Sequence, residues 1–242
     1  MSEDAAVRAK RLAGAYAADQ VEDGMIVGLG TGSTVLFAME RLGYRIREEG
    51  LRIVGVPTSF EASMRARNCG IMLTTLDEHP QIDVAIDGAD QVDSSFCMIK
   101  GRGAALMREK CVAEAAESLY IVVDSTKTSD FLNFPVPVEA LPFAASLVER
   151  RIRVLGGLPS LRIGVKKDGP VITDNGNFVF DCEFGKIDDP DQLESKLNNL
   201  PGVIASGLFT SFTDRTTVVV GGKEECLVML PGSSKLVQGK TE

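Results

Sequence analysis

Apolar residues recur along this chain at two alternating spacings, one helical and one extended. Residues 5–20 (AAVRAKRLAGAYAADQ) are alanine-rich with apolar positions at helical intervals and predict a helix. Asp23-Gly24 then turns the chain into Met25-Ile26-Val27-Gly28-Leu29-Gly30, a short apolar strand that runs straight into glycines. Ser33 and Thr34 open a second helix, to about Leu42. Arg52–Val56 predicts a strand, residues 60–68 a helix, Ile71–Leu73 a third strand and Asp83–Asp87 a fourth. Segment 104–118 predicts a helix and Leu119–Asp124 a buried strand.

This alternation predicts an α/β fold, a mostly parallel sheet with helices on both faces. The pattern shifts near residue 131, where Phe134-Pro135-Val136-Pro137-Val138-Glu139 is extended and punctuated by prolines. Ala144–Leu155 and Pro190–Leu200 predict helices, and Leu161–Val165 and Phe178–Asp181 predict strands, with a hairpin turn at Asp174-Asn175-Gly176-Asn177. Thr216–Val220 and Cys226–Leu230 read as strands that rejoin the first sheet. The expected division is therefore a first domain from 1–131 and 217–242 and a smaller α+β domain, 132–216.

In such sheets ligands sit beyond the C-terminal ends of the strands. Three polar motifs fall there: Gly28-Leu29-Gly30-Thr31-Gly32-Ser33-Thr34, Asp87-Gly88-Ala89-Asp90 and Asp124-Ser125-Thr126-Lys127. The first offers close backbone approach, hydroxyls and a helix N-terminus, which suit an anion. A dinucleotide would want an acidic residue at the end of the second strand, where this chain has Pro57-Thr58-Ser59. A nucleotide P-loop would want Gly-Lys before the hydroxyl, and here Gly32 precedes Ser33 directly. A small phosphate ester fits better than either.

Asp87 and Asp90 share a tight turn, and carboxylates so placed bind sugar hydroxyls or shuttle protons between vicinal oxygens. A magnesium site is the competing reading, with Asp93 three residues further on. Lys100 precedes a glycine turn, Gly101-Arg102-Gly103, that feeds a helix carrying Glu109. A cation beside developing enolate charge lowers the barrier, and a carboxylate removes the proton. The lone histidine, His79, lies beside Pro80, so a general base in this cluster has to be a carboxylate.

The formal charge of -8 argues against nucleic acid or an anionic membrane as partner. The five cysteines are widely spaced with no C-x-x-C pair, which argues against a zinc site and for reduced thiols. No apolar run approaches the ~18 residues of a membrane span. The acidic Met1-Ser2-Glu3-Asp4 start has no apolar signal core, so a soluble, cytoplasmic protein is expected.

The strings GLGTGST, AIDGADQVD, KGRGAALMREK and TDNGNFVFD, in this order and spacing, resemble type A ribose-5-phosphate isomerase from about Lys10 to Leu230. The resemblance implies interconversion of D-ribose 5-phosphate and D-ribulose 5-phosphate through an enediolate, with no metal or organic cofactor. It also implies a Rossmann-like catalytic domain with a smaller α+β domain inserted before the last strands, and a homodimer or homotetramer. It makes Glu109 the base between C1 and C2, gives Asp87 and Asp90 the hydroxyls and ring opening, and sets Lys100 against the developing charge. Its substrate-binding set is Thr31, Gly32, Ser33, Thr34, Gly101, Gly103, Lys127 and Lys10, with Arg8 or Arg11 as alternatives to Lys10. The family usually has KGGGAAL, and Arg102 replaces the middle glycine here. If that position needs positive φ, arginine costs on the order of 1 kcal/mol. Two other classes remain: a sugar-phosphate sensor, for which the single N-terminal helix leaves no DNA-binding unit, and a Schiff-base aldolase using Lys100 or Lys127, which borohydride would trap.

Overall fold

The computed structural model describes residues 4–238, so the acidic Met1–Glu3 lies outside the described residues. The chain forms two units. The first comprises residues 1–89, 108–128 and 212–242, and the second 90–107 and 129–211. Residues 90–107 thus group with the second unit, although the sequence suggested a single first block through residue 131.

The first unit is built on strands β1 (Ile26–Leu29), β2 (Val54–Pro57), β3 (Met72–Leu73), β4 (Ile82–Asp87), β7 (Ala116–Asp124), β13 (Thr216–Gly221), β14 (Glu225–Leu230) and β15 (Ser233–Gln238). They form one eight-stranded sheet in the order β15-β14-β13-β7-β4-β1-β2-β3. From β3 to β13 every pair is parallel, and β14 and β15 extend the β13 edge as an antiparallel meander. Helices α1 (Ala5–Asp19), α2 (Ser33–Tyr44) and α3 (Phe60–Asn68) flank the sheet, with α1 against α2, β7 and β13 and α3 against β2 and β3. Their buried faces and the strand interiors join in one core that includes Leu12, Leu29, Met39, Leu42, Ile86 and Val219.

Helix α4 (Leu106–Ala115) is shorter than its sequence suggests. Residues 116–118, expected at the end of that helix, instead begin β7, because Ala116 and Ser118 pair with Ile82 and Val84 of β4. A ladder of backbone hydrogen bonds to a buried neighbour outweighs the weak helix preference of three residues.

The second unit holds two antiparallel sheets. Strands β5 (Gln91–Val92), β6 (Met98–Ile99) and β12 (Leu208–Phe209) form the smaller, in the order β12-β6-β5. Strands β8 (Val136–Ala140), β9 (Leu158–Leu161), β10 (Phe178–Glu183) and β11 (Val203–Ser206) form the larger, in the order β11-β8-β10-β9, with helices α5 (Ala145–Val154) and α6 (Pro190–Asn198). Val138, Val148, Ile152, Phe180 and Leu197 are central to its core. β9 lies earlier than the expected 161–165, since Leu158–Leu161 is the stretch in register with Phe180–Glu183.

The Asp174–Asn177 turn forms, yet it does not join two paired strands directly. It wraps the carboxylate of Glu139, a fully buried residue of β8. Glu139 Oε1 accepts from Thr173 Oγ1 at 2.8 Å, Asn175 Nδ2 at 3.1 Å and Asn177 Nδ2 at 2.8 Å. The TDNGN string is thus explained by burial of a charge that needs several donors. Glu139→Ala is expected to strand these donors and cost on the order of 3 kcal/mol in denaturant unfolding. Glu139→Gln, which keeps an acceptor oxygen, should cost less, and equal losses in the two variants would show that the network does not carry the effect.

Candidate active site

The first unit's chain runs from β1 outward to β2 and β3, then returns to place β4 on the other side of β1. Between β1 and β4 the connections diverge, and in sheets of this kind ligands bind at the strand C-termini beside such a reversal. The glycine turn follows β1 and Asp87 ends β4, so both lie at that end of the sheet. Gly30 N–H donates to Ile86 O at 2.9 Å, continuing the β1–β4 ladder past the end of β1. Asp87, only 4% exposed, accepts at Oδ1 from the amides of Thr31 (3.2 Å) and Gly88 (2.8 Å). A Cβ at Gly30 would stand 2.0 Å from Asp87 Oδ1, so only glycine lets this carboxylate lie over the turn.

Thr31 Oγ1 is 2.9 Å from Thr58 Oγ1 and 2.7 Å from Ser59 Oγ, and Thr58 Oγ1 also donates to Leu29 O at 3.2 Å. Pro57-Thr58-Ser59 stands where a dinucleotide site would carry an acidic residue. The two hydroxyls in fact brace the glycine turn, and no linear motif announces a contact between residues 27 and 28 positions apart. Gly32, at φ 133°, starts α2 without any side-chain cap, leaving the amides of the first turn available to an anion. Ser33 there is exposed and Thr34 buried. Lys10 Nζ donates to Ser33 Oγ at 3.1 Å, which brings an ammonium from α1 to the same helix terminus. Arg11 turns elsewhere: its guanidinium lies 4.8 Å from the Phe37 ring centroid and 3.9 Å from Glu40. Lys127, half-buried, sits on the single turn Ser125–Lys127 after β7, with Asp124 Oδ1 accepting from the Thr126 amide at 3.0 Å. Glu109 lies in the first turn of α4 and is 4% exposed. Negative charge is favoured at that end of a helix.

The remaining predicted residues belong to the second unit. Strands β5 and β6, which the sequence reading did not foresee, pair with Gln91 opposite Ile99. The next position in register sets Asp90 beside Lys100, and Asp90 N–H donates to Ile99 O at 2.8 Å. Lys100 is only 3% exposed, with Nζ 5.4 Å from the Phe209 ring centroid, and its amide donates to Gly207 O at 2.9 Å. The turn that follows has Gly101 at φ 103°, a conformation reserved for glycine, and Ala104 N–H closes it onto Gly101 O at 3.0 Å. Gly103 is exposed in this turn. Arg102 has negative φ, so it carries none of the strain that replacing a glycine can bring, and Ala104 takes the left-handed residue at φ 59°. The Arg102 amide donates to Asp90 Oδ2 at 2.9 Å, so turn and carboxylate hold one another.

Asp93, the third carboxylate of the magnesium reading, is engaged by its own turn. Its Oδ1 accepts from the amides of Ser95 at 2.8 Å and Cys97 at 2.9 Å. Burial nevertheless pushes its carboxyl above the usual range. Burial also pushes the Cys97 thiol up to about 11, helped by the negative charge of Asp93, Asp191 and Glu194. Among the described residues no group of three or more His, Cys, Asp or Glu side chains is placed to hold a metal ion.

Chemically, the first unit combines a helix terminus without a side-chain cap with two buried carboxylates, and the second pairs a carboxylate with a buried ammonium. Comparison with known proteins places these parts in one lineage. Residues 54–225 match the family described as ribose 5-phosphate isomerase A (phosphoriboisomerase A). A ribose-5-phosphate isomerase A of Methanoregula boonei is 57% identical over 226 residues, covering 93% of this chain and 95% of the relative. That of Thermosynechococcus vestitus is 53% identical, covering 91% and 94%. Among solved structures, ribose 5-phosphate isomerase A from Methanocaldococcus jannaschii superposes with a TM-score of 0.85 at 42% identity over 95% of this chain and 97% of that one. A D-ribose-5-phosphate isomerase in complex with phospho-erythronic acid gives 0.85 at 41% identity over the same shares. Sequence and fold agree over nearly the full length, and the chain belongs to the ribose 5-phosphate isomerase A family.

Proposed function

We propose that this isomerase interconverts D-ribose 5-phosphate and D-ribulose 5-phosphate through an enediolate, with Glu109 as the base and without a metal ion. Membership of the family over nearly the whole chain carries the reading of substrate. The phosphate is held by the uncapped start of α2, with Thr31, Gly32, Ser33 and Thr34, and by the ammonium groups of Lys10 and Lys127. Asp87 and Asp90 bind hydroxyls and pass the proton needed for ring opening. Glu109 then takes the proton from C2 of the open aldose, and the electron pair of that C–H bond forms the C1–C2 double bond. The carbonyl electrons move to O1, where Lys100 and the amides of the Gly101–Gly103 turn meet the developing negative charge. Return of the proton from Glu109 to C1, with the O2 proton passing to O1 through the carboxylates, gives the ketose. Burial supports this role for Glu109, because a carboxylate that is 4% exposed keeps bulk water away from the proton it moves.

The same reading includes self-association as a dimer or tetramer. Phe143, fully exposed, together with Leu147 and Val154 lies on the outward stripe of α5 and the turn before it, while Val148 and Ile152 face the core. Apolar side chains left outside at helical spacing suit a second copy of this chain.

Glu109→Gln should fold normally and lose kcat by about 10²–10⁴-fold. Proton NMR with D-ribose 5-phosphate in deuterium oxide containing EDTA reads this, together with deuterium entering at C1 or C2. Near-normal turnover in the variant would remove Glu109 from the mechanism, and loss of wild-type activity to EDTA would restore a metal. Lys10→Ala should raise KM by about tenfold, the loss of one charge-assisted phosphate contact, with kcat changed much less. Light scattering is expected to give two or four chains per particle, and a monomer at micromolar concentration would sink the oligomer reading.

A further inference from the structure

We propose that Arg162 is a positioning residue: it clamps the Gly101–Arg102 turn and thereby sets both Lys100 and Asp90 for the substrate. The inference rests on the isomerase reading above and adds a residue outside its motifs. Arg162 lies directly after β9, and its side chain is 16% exposed. Its Nε donates to Asp181 Oδ2 at 2.8 Å and its Nη2 to Asp181 Oδ1, a two-pronged pair. The remaining terminal nitrogen, Nη1, donates to Gly101 O and to Arg102 O, each at 3.0 Å. One guanidinium therefore joins β10 to two successive carbonyls of the lysine turn.

Each end of this clamp is anchored. Asp181 sits inside β10, opposite Ser160 on one side and Pro137 on the other. The backbone of Arg162 donates to Val179 O and accepts from Val171 N–H, both at 2.8 Å. At the far end, the turn depends on external donors because its conformation is costly. Gly101 and Ala104 both have positive φ, and Ala104 N–H closes the turn onto Gly101 O. Arg162 supplies further donors to the Gly101 and Arg102 carbonyls. What the turn carries is chemical: Lys100 immediately precedes it, and its Arg102 amide holds Asp90 Oδ2 at 2.9 Å. Rotation of the turn therefore moves an ammonium and a carboxylate together. Lysine cannot replace this arrangement, since a single ammonium lacks the fork that grips Asp181 while reaching two carbonyls.

The groups affected act on the sugar oxygens, whereas the proposed phosphate contacts belong to the other unit. The clamp should therefore show in kcat. With wild type and Glu109→Gln as controls, Arg162→Ala is expected to keep its circular dichroism and lose kcat by about 10²-fold, the cost of a misplacement near 1 Å. KM should stay within about threefold, as expected when a group acts chiefly in the transition state. Added methylguanidinium should restore part of kcat in Arg162→Ala and none in Glu109→Gln, a response that a general loss of stability would not give. Arg162→Lys, read in the same way if the alanine variant does not fold, should also lose kcat at near-constant KM.

Wild-type kcat in a folded Arg162→Ala or Arg162→Lys would overturn the proposal, as would a rise in KM alone. Unfolding of both variants would overturn it too, making Arg162 a support of the whole unit. A wild type that converts no D-ribose 5-phosphate removes the isomerase reading and this proposal with it. Activity in the wild type beside an unimpaired Arg162 variant removes the proposal alone.

Discussion

The seating of the Asp87 carboxylate over Gly30 is the contact on which the first unit's chemistry depends. It requires β1 and β4 to be neighbours, because the Gly30 amide reaches Ile86 O only when the parallel ladder continues past the last residue of β1. It also requires the absence of a side chain at position 30. Once seated, the carboxylate receives the Thr31 amide, and the Thr31 hydroxyl meets Thr58 and Ser59 at the end of β2. Three strand ends are thereby tied into one polar floor, beside which α2 begins uncapped and Lys10 reaches Ser33. The reversal of strand order brings these three strand ends together, and the proposed phosphate site rests on this hydrogen-bonded floor.

The second unit solves a different problem, that of holding charges out of water. Lys100 and Glu139 are both buried, and each is surrounded by residues whose sequence would otherwise be hard to explain. Around Glu139 the donors come from one short loop, Thr173 to Asn177. Around the lysine turn the partners come from far along the chain: Gly207 O accepts from the Lys100 amide, and Arg162 donates to the carbonyls beyond it. A left-handed Gly101 followed closely by a left-handed Ala104 is sustained by such over-determination. Arg102 fits because the strained positions lie on either side of it.

Legibility in the sequence followed the range of the interactions. α1, α3 and the strand ahead of the glycine turn are visible because hydrophobic periodicity and capping are local properties. The positions of GTGST and DGAD at strand ends were visible for the same reason. Two-residue strands such as β5 and β6 carry no periodicity, so the pairing that aligns Asp90 with Lys100 was not legible. The end of α4 was misplaced because residues 116–118 obey β4 rather than their own helix preference. Arg162 left only a weak trace, a charge within an apolar segment, and its partners at 181, 101 and 102 are fixed by the register of β9 on β10.

The sequence by itself determined the kinds of element, the alternating α/β class and which carboxylates, lysines and glycine turns were candidates for a site. These depend on side-chain chemistry and on periods of a few residues, which a linear string contains in full. Tertiary structure decided which strands became neighbours, which carboxylates are buried, and which residue carries the backbone strain around Arg102. It also decided that Lys10, rather than Arg11, reaches Ser33 at the start of α2. Those outcomes arise from competition among distant segments for the same hydrogen bonds and the same buried space, and no local preference encodes the winner.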